Sequence, residues 1–82
     1  MTRLVQPPIE LEIELDEQRT PIRMHRPVVG LLEAVAHWRV EMDWWREPVL
    51  RDYWRVIVNG TAICEIFQVA GQEAWYLDRV LD

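Results

Sequence analysis

Lysine is absent from this chain, cysteine occurs once, and glycine occurs only three times in 82 residues. All nine basic residues are therefore arginine, set against fourteen acidic ones for a formal net charge of −5. Nucleic-acid binding draws much of its affinity from neutralising phosphates, and an acidic chain has no broad surface for that. A nucleic-acid partner is thus disfavoured, although an uneven spread of arginines leaves room for a local basic patch. The lack of lysine has two readings: a GC-rich genome, or selection for the planar, stacking, bidentate guanidinium. The single Cys64 excludes an internal disulfide and fits a reducing compartment. No apolar run approaches the ~20 residues of a membrane helix. The N-terminus, with one early arginine, Pro7-Pro8 and then an acidic run, does not read as a signal peptide. A cytoplasmic location without membrane contact is expected.

What the chain does contain is apolar mass. Half of its residues are hydrophobic and five are Trp. A buried aromatic removes ~150–250 Å² from water, and truncating one to alanine costs ~3–5 kcal/mol. In a chain with room for one domain, such residues decide whether it folds.

Residues 1–8 read as an N-terminal tail and residues 9–82 as a single β-domain. From Ile9 the chain alternates strictly, with Ile9, Leu11, Ile13 and Leu15 on one side and Glu10, Glu12, Glu14 and Asp16 on the other. The acidic side reads either as a solvated strand edge or as a docking strip for a basic partner. A polar turn over residues 16–20 precedes a second short strand over residues 21–26. Residues 31–42 fit helical and strand spacing alike. The β-favouring Trp38-Arg39-Val40 and the lack of helix caps tilt the reading to strand. Residues 52–58 alternate again and run into Asn59-Gly60, the strongest short hairpin signal because both turn positions need φ > 0. Two further strands, separated at Gly71, complete a C-terminal meander. The expected fold is all-β: a small twisted antiparallel sheet or open barrel of five to six strands with a C-terminal three-stranded meander. The expected core is Ile9, Leu11, Ile13, Ile22, Leu32, Trp38, Val40, Trp54, Val56, Ile63, Phe67, Trp75 and Leu77.

The candidate site is Trp44-Trp45-Arg46 together with Arg51, Tyr53 and Arg55. Adjacent strand residues face opposite sides, so one Trp of the pair can enter the core while the other stays on the surface, where Trp is enriched at binding hot spots. The competing reading has both rings closing one end of a small barrel. Arginine interleaved with aromatics forms cation–π contacts and can also build a platform for single-stranded nucleic acid. Glu41, Asp43, Glu47 and Asp52 are interleaved as well, and are expected to pair with these arginines. Chemistry-bearing patterns are scarce. His25 and His37 lack a second ligand at zinc-like spacing. Cys64 sits mid-strand, as a small buried hydrophobe would. No phosphate loop or nucleophile signature is present. No catalytic residue, metal or cofactor is expected, and the chain does not read as an enzyme.

The ordered motifs Ala36-His37-Trp38-Arg39-Val40, Asp43-Trp44-Trp45, Arg51-Asp52-Tyr53-Trp54-Arg55-Val56 and Trp75-Tyr76-Leu77, with the final Asp82, resemble the C-terminal segment of ImuB proteins. These are inactive relatives of Y-family DNA polymerases. The motifs also resemble a family of small standalone bacterial proteins of unknown function. The likeness covers roughly residues 20–82. Ala36-His37 stands where that pattern has Gly-Pro, and Leu81 where it has Tyr. The resemblance implies a protein-interaction module in translesion synthesis, with an ImuA-type RecA-like protein or an error-prone polymerase subunit as partner. Two alternatives come from other classes: weak binding of single-stranded nucleic acid through Arg51, Tyr53 and Arg55, or a homodimer formed through the edge at residues 9–15.

Overall fold

The computed structural model describes residues 2–44 and 47–81. Its elements are β1 (Arg3–Leu15), β2 (Pro21–Arg26), β3 (Gly30–Trp44), β4 (Glu47–Val58), β5 (Ala62–Val69) and β6 (Trp75–Leu81). All neighbouring strands are antiparallel, and the order β1-β2-β3-β4-β5-β6 closes on itself through β1 and β6. The ambiguous residues 31–42 are strand, inside β3. The expected meander is β4-β5-β6.

Closure depends on β1 serving two neighbours in succession. Its first part pairs with β6, from Arg3↔Val80 to Leu11↔Trp75, and its last part with β2, from Glu12↔Arg26 to Leu15↔Pro21. The strand therefore begins well before Ile9, and most of the expected tail is part of the sheet. Pro7 and Pro8 offer no N–H to a ladder. The β1–β6 register accordingly slips between Leu4 and Ile9 and resumes on both sides. The proline pair interrupts the ladder without ending the strand.

Local chemistry places the turns. Asp16 Oδ1 accepts hydrogen bonds from the backbone N–H groups of Gln18 and Thr20, both at 2.9 Å, which fixes the β1–β2 turn. Asn59 and Gly60 have φ of 51° and 73°, as their hairpin requires. Asn59 also ties that hairpin to β3: its side-chain oxygen accepts from Leu31 N at 3.0 Å, and its own N–H donates to Leu31 O at 2.9 Å. Gly30 lies so close to β4 that an added Cβ would sit 2.9 Å from Val58 Cγ1.

Inside the ring is one apolar cluster: Leu11, Met24, Leu32, Val56, Cys64, Ile66 and Trp75, with Ile13, Leu15, Ala34, Trp54, Val58, Leu77 and Val80 packed against it. Several expected core residues lie elsewhere. On β5 the inward series is Cys64 and Ile66, so Ile63 and Phe67 face outward. Both series of that strand are apolar, and alternation does not say which is inside. Trp38 and Val40 pair with Tyr53 and Arg51, which places them on the same outward face. Ile9 has inward parity but is 47% exposed, because it lies past the end of the β1–β2 pairing, where the ring is open. Ile22 is half-buried, while its neighbours Pro21 and Met24 are buried.

Truncation separates these positions. Ile66→Ala should lower unfolding stability by about 2–5 kcal/mol, whereas Ile9→Ala should stay within about 0.5 kcal/mol of the parent. Urea denaturation followed by tryptophan fluorescence measures both.

Candidate functional site

Alternation along β4 sends Trp54, Val56 and Val58 into the ring, so Arg51, Tyr53, Arg55 and Ile57 share the outward face. Antiparallel pairing then sets residues of four strands in cross-strand rows. One row is aromatic throughout: Trp38 of β3, Tyr53 of β4, Phe67 of β5 and Tyr76 of β6. Trp38 and Tyr53 stack at 5.6 Å with planes 6° apart. Tyr53–Phe67 and Phe67–Tyr76 are both 5.3 Å between centroids. Each such pair contributes about 0.5–1.5 kcal/mol beyond its buried area.

Guanidinium groups cover this row. Arg51 lies over the Phe67 ring at 4.3 Å and donates from Nη1 to Tyr53 Oη at 3.2 Å. Arg55 sits 5.6 Å from the Trp38 ring centre. Phe67 therefore faces outward and is still only 3% exposed. Beside the aromatic row runs a charged one. Arg55 donates from Nε and Nη2 to Glu65 Oε2, at 3.2 and 2.8 Å. Arg79 Nε approaches Glu65 Oε1 at 3.6 Å and Asp78 Oδ2 at 3.4 Å. Glu65 is 6% exposed, so this carboxylate is held in a largely dry setting by two arginines. A groove of about 360 Å³ in this face is bordered by Trp38 and Met42 of β3, Tyr53 of β4 and Asp78 of β6.

Acid pairing is uneven among the candidate arginines. Asp52 takes Arg39, whose Nε donates to its Oδ1 at 2.7 Å, and lies 3.7 Å from His37 Nε2. The hydrogen bond and charge of Asp52 raise the Arg39 pKa above its ordinary value. Arg55 takes Glu65, whereas Arg51 is held by an aromatic ring and a phenol rather than by a carboxylate among the described residues. The two histidines are engaged as well: His25 Nε2 lies 2.8 Å from Glu14 Oε1, and His37 stacks on Trp54 at 3.9 Å. Among the described residues no group of three or more His, Cys, Asp or Glu gathers as metal ligands would.

The structure brings Arg51, Tyr53 and Arg55 together, as their spacing predicts. Of the Trp-Trp element, Trp44 is at the end of β3, where it pairs with Glu47 of β4 through the backbone. Trp45 and Arg46 lie outside the described residues. This hairpin outruns its neighbours: β5 pairs with β4 only as far as Arg51, while β3 and β4 continue to each other for residues 41–44 and 47–50. Comparison with protein-family models, curated proteins and solved structures finds no match. No helix of the described residues is long and apolar enough to cross a membrane.

Sequence reading missed Phe67, Tyr76, Glu65 and Asp78 as parts of this face, because each belongs to a strand whose register is set at a distance. Cys64 packs in the core as expected, and burial pushes its thiol pKa up. A thiol so placed is little ionised at neutral pH and is a poor nucleophile.

Two measurements follow from this geometry. Arg55→Ala should destabilise by about 2–4 kcal/mol by leaving buried Glu65 with only the longer contact to Arg79, while the double change to Leu at both positions should recover most of that loss; chemical denaturation gives both values. Cys64 should resist a thiol reagent in the folded protein and react fully in denaturant, as read by absorbance of the released chromophore.

Proposed function

We propose that this chain is a non-catalytic protein-interaction module of the bacterial translesion machinery, acting in the cytoplasm. Its contact surface would be the end of the β3–β4 hairpin together with the adjoining arginine-aromatic face. The observation that carries the interaction reading is the hairpin itself. The described strands of this hairpin, up to Trp44 and from Glu47, run beyond the pairing of their neighbours, next to a groove bordered by Trp38, Met42 and Tyr53. Protein interfaces concentrate their energy in Trp, Tyr and Arg near a desolvated centre, and these are the residues gathered there. The translesion context is supported by the ordered motifs shared with the ImuB C-terminal segment, including Arg51-Asp52-Tyr53-Trp54-Arg55-Val56. The partner would be an ImuA-type RecA-like protein or an error-prone polymerase subunit.

A second reading, binding of single-stranded nucleic acid, draws on the same face, since a row of four rings flanked by arginines has the makings of a stacking platform. The internal engagement of its arginines weighs against it. Arg55 is committed to Glu65, and Arg51 sits over Phe67. Freeing either would expose a buried carboxylate or a ring.

Trp45→Ala and Arg46→Glu should each weaken capture of the ImuA-type or polymerase partner by at least about 30-fold, the scale of a hot spot of 2 kcal/mol or more. The melting temperature should hold within a few degrees. Unfolding in both variants would make the pair structural and remove this contact assignment. For the second reading, anisotropy of a labelled oligonucleotide at low salt is decisive, because the phosphate term is largest there. No binding is expected; salt-sensitive binding lost in Arg51→Ala would favour nucleic acid instead.

A further inference from the structure

Strand β3 is paired with β4 along its length, but with β2 only at Gly30 and Leu31. Beyond that point no strand lies along its other side among the described residues. A long unpaired edge is a template for another strand unless it is blunted by proline, short length, a bulge or inward charge. Here a bulge lies between Ala34 and Ala36, where Val35 has no partner on β4. It bends the strand and ends regular pairing at that position. The uninterrupted run is thus residues 36–44, with Val40 at its midpoint.

This run is self-complementary. Pairing it antiparallel with the same run of another copy, centred on Val40, sets Arg39 opposite Glu41 and Glu41 opposite Arg39. Both of these side chains are exposed. Only Nε of Arg39 is used by Asp52, so among the described residues its terminal nitrogens are open to a second carboxylate. On the other face the same register sets Trp38 against Met42, which is 40% exposed, and Val40 against itself. A slip of one residue in either direction would oppose Arg39 to an apolar side chain, Val40 or Met42. We propose that the free edge of β3 joins a second copy of this chain about a two-fold axis through Val40, making the two aromatic rows parts of one continuous sheet. A two-fold contact of this kind is isologous and closes, so it gives a dimer and not a filament. The edge involved is β3, whereas residues 9–15 of β1, the edge the sequence suggested, are committed in turn to β6 and β2.

The test is the mass of the full chain in solution by light scattering after size exclusion, loaded at about 100 µM, where a micromolar complex would be populated. A species of twice the 9.9 kDa chain mass is expected. Glu41→Arg sets like charges opposite Arg39 on both sides of the two-fold axis and should weaken the dimer by at least about tenfold, with an unchanged circular dichroism melt. Mixing the Glu41→Arg chain with an Arg39→Glu chain restores two opposite-charge pairs and should return a mixed dimer. A parent protein that remains a monomer at this concentration overturns the proposal. So does a dimer that Glu41→Arg leaves intact, since that dimer would use another surface.

Discussion

Period-two alternation gives each strand two faces, and in β3 to β6 both carry large side chains. That is the constraint on which the molecule is built. A ring of six strands can fill its interior from one face of each strand only, here with Val56, Cys64, Ile66 and Trp75 among others. Trp38, Tyr53, Phe67 and Tyr76 then stand on the outside, with no helix or second sheet to cover them among the described residues. Arginine supplies the cover. Its long stem packs on apolar surface while its charged head stays near water, and its plane lies against a ring. Arg51 sits over Phe67 with its guanidinium carbon 4.3 Å from the ring centre. The outer layer is therefore a thin second core, made of rings below and guanidinium above.

Covering rings with charge creates a further problem, which Glu65 meets. Two arginines close together on one face repel each other unless a carboxylate lies between them. Glu65 is placed between Arg55 and Arg79 by the β4–β5 and β5–β6 registers. A register shift between Glu65 and Ile66 leaves Asp78 as an extra residue on β6, and this puts a second carboxylate beside Arg79. Such a bulge re-aims side chains without ending the strand. Replacing Glu65 and its partners by apolar residues could match their stability. What the charges fix is the register, since a slip of one residue would turn Glu65 into the ring and bring Ile66 out among the arginines.

Much of this was legible in the sequence wherever the determinant is local. The β2 bounds, the Asn59-Gly60 hairpin and the common face of Arg51, Tyr53 and Arg55 need only neighbouring residues. The facing of β5 needed more, because Ile63-Phe67 and Cys64-Ile66 are both apolar series, and only pairing with Val56 and Trp54 selects the second. Trp38 looked like core for the same reason: it is large, apolar and on an alternating strand. Its true setting is an outward row completed by strands up to thirty-eight positions away in sequence, at Tyr76. The role of β1 was hidden differently. Pro7-Pro8 signals a break in hydrogen bonding, and a strand can pass such a break when both flanks find partners.

The all-arginine composition takes on meaning in this outer layer. A genome bias would put arginine everywhere without regard to what lies beneath it, and Arg3, Arg19, Arg23 and Arg26 are indeed exposed. Arg51, Arg55 and Arg79 are different, because each position demands geometry that lysine lacks. Arg55 sends two nitrogens to one oxygen of Glu65 while its guanidinium carbon is 5.6 Å from the Trp38 ring centre. Arg51 spans a phenol and a ring at once. An ammonium is a compact, strongly hydrated point charge, and over Phe67 it would either lose its water or lift off the ring. Bias can supply arginine to both sets, but packing would retain it only in the second. The absence of lysine is thus neutral over β1 and β2, and a structural requirement across the face shared by β3 to β6.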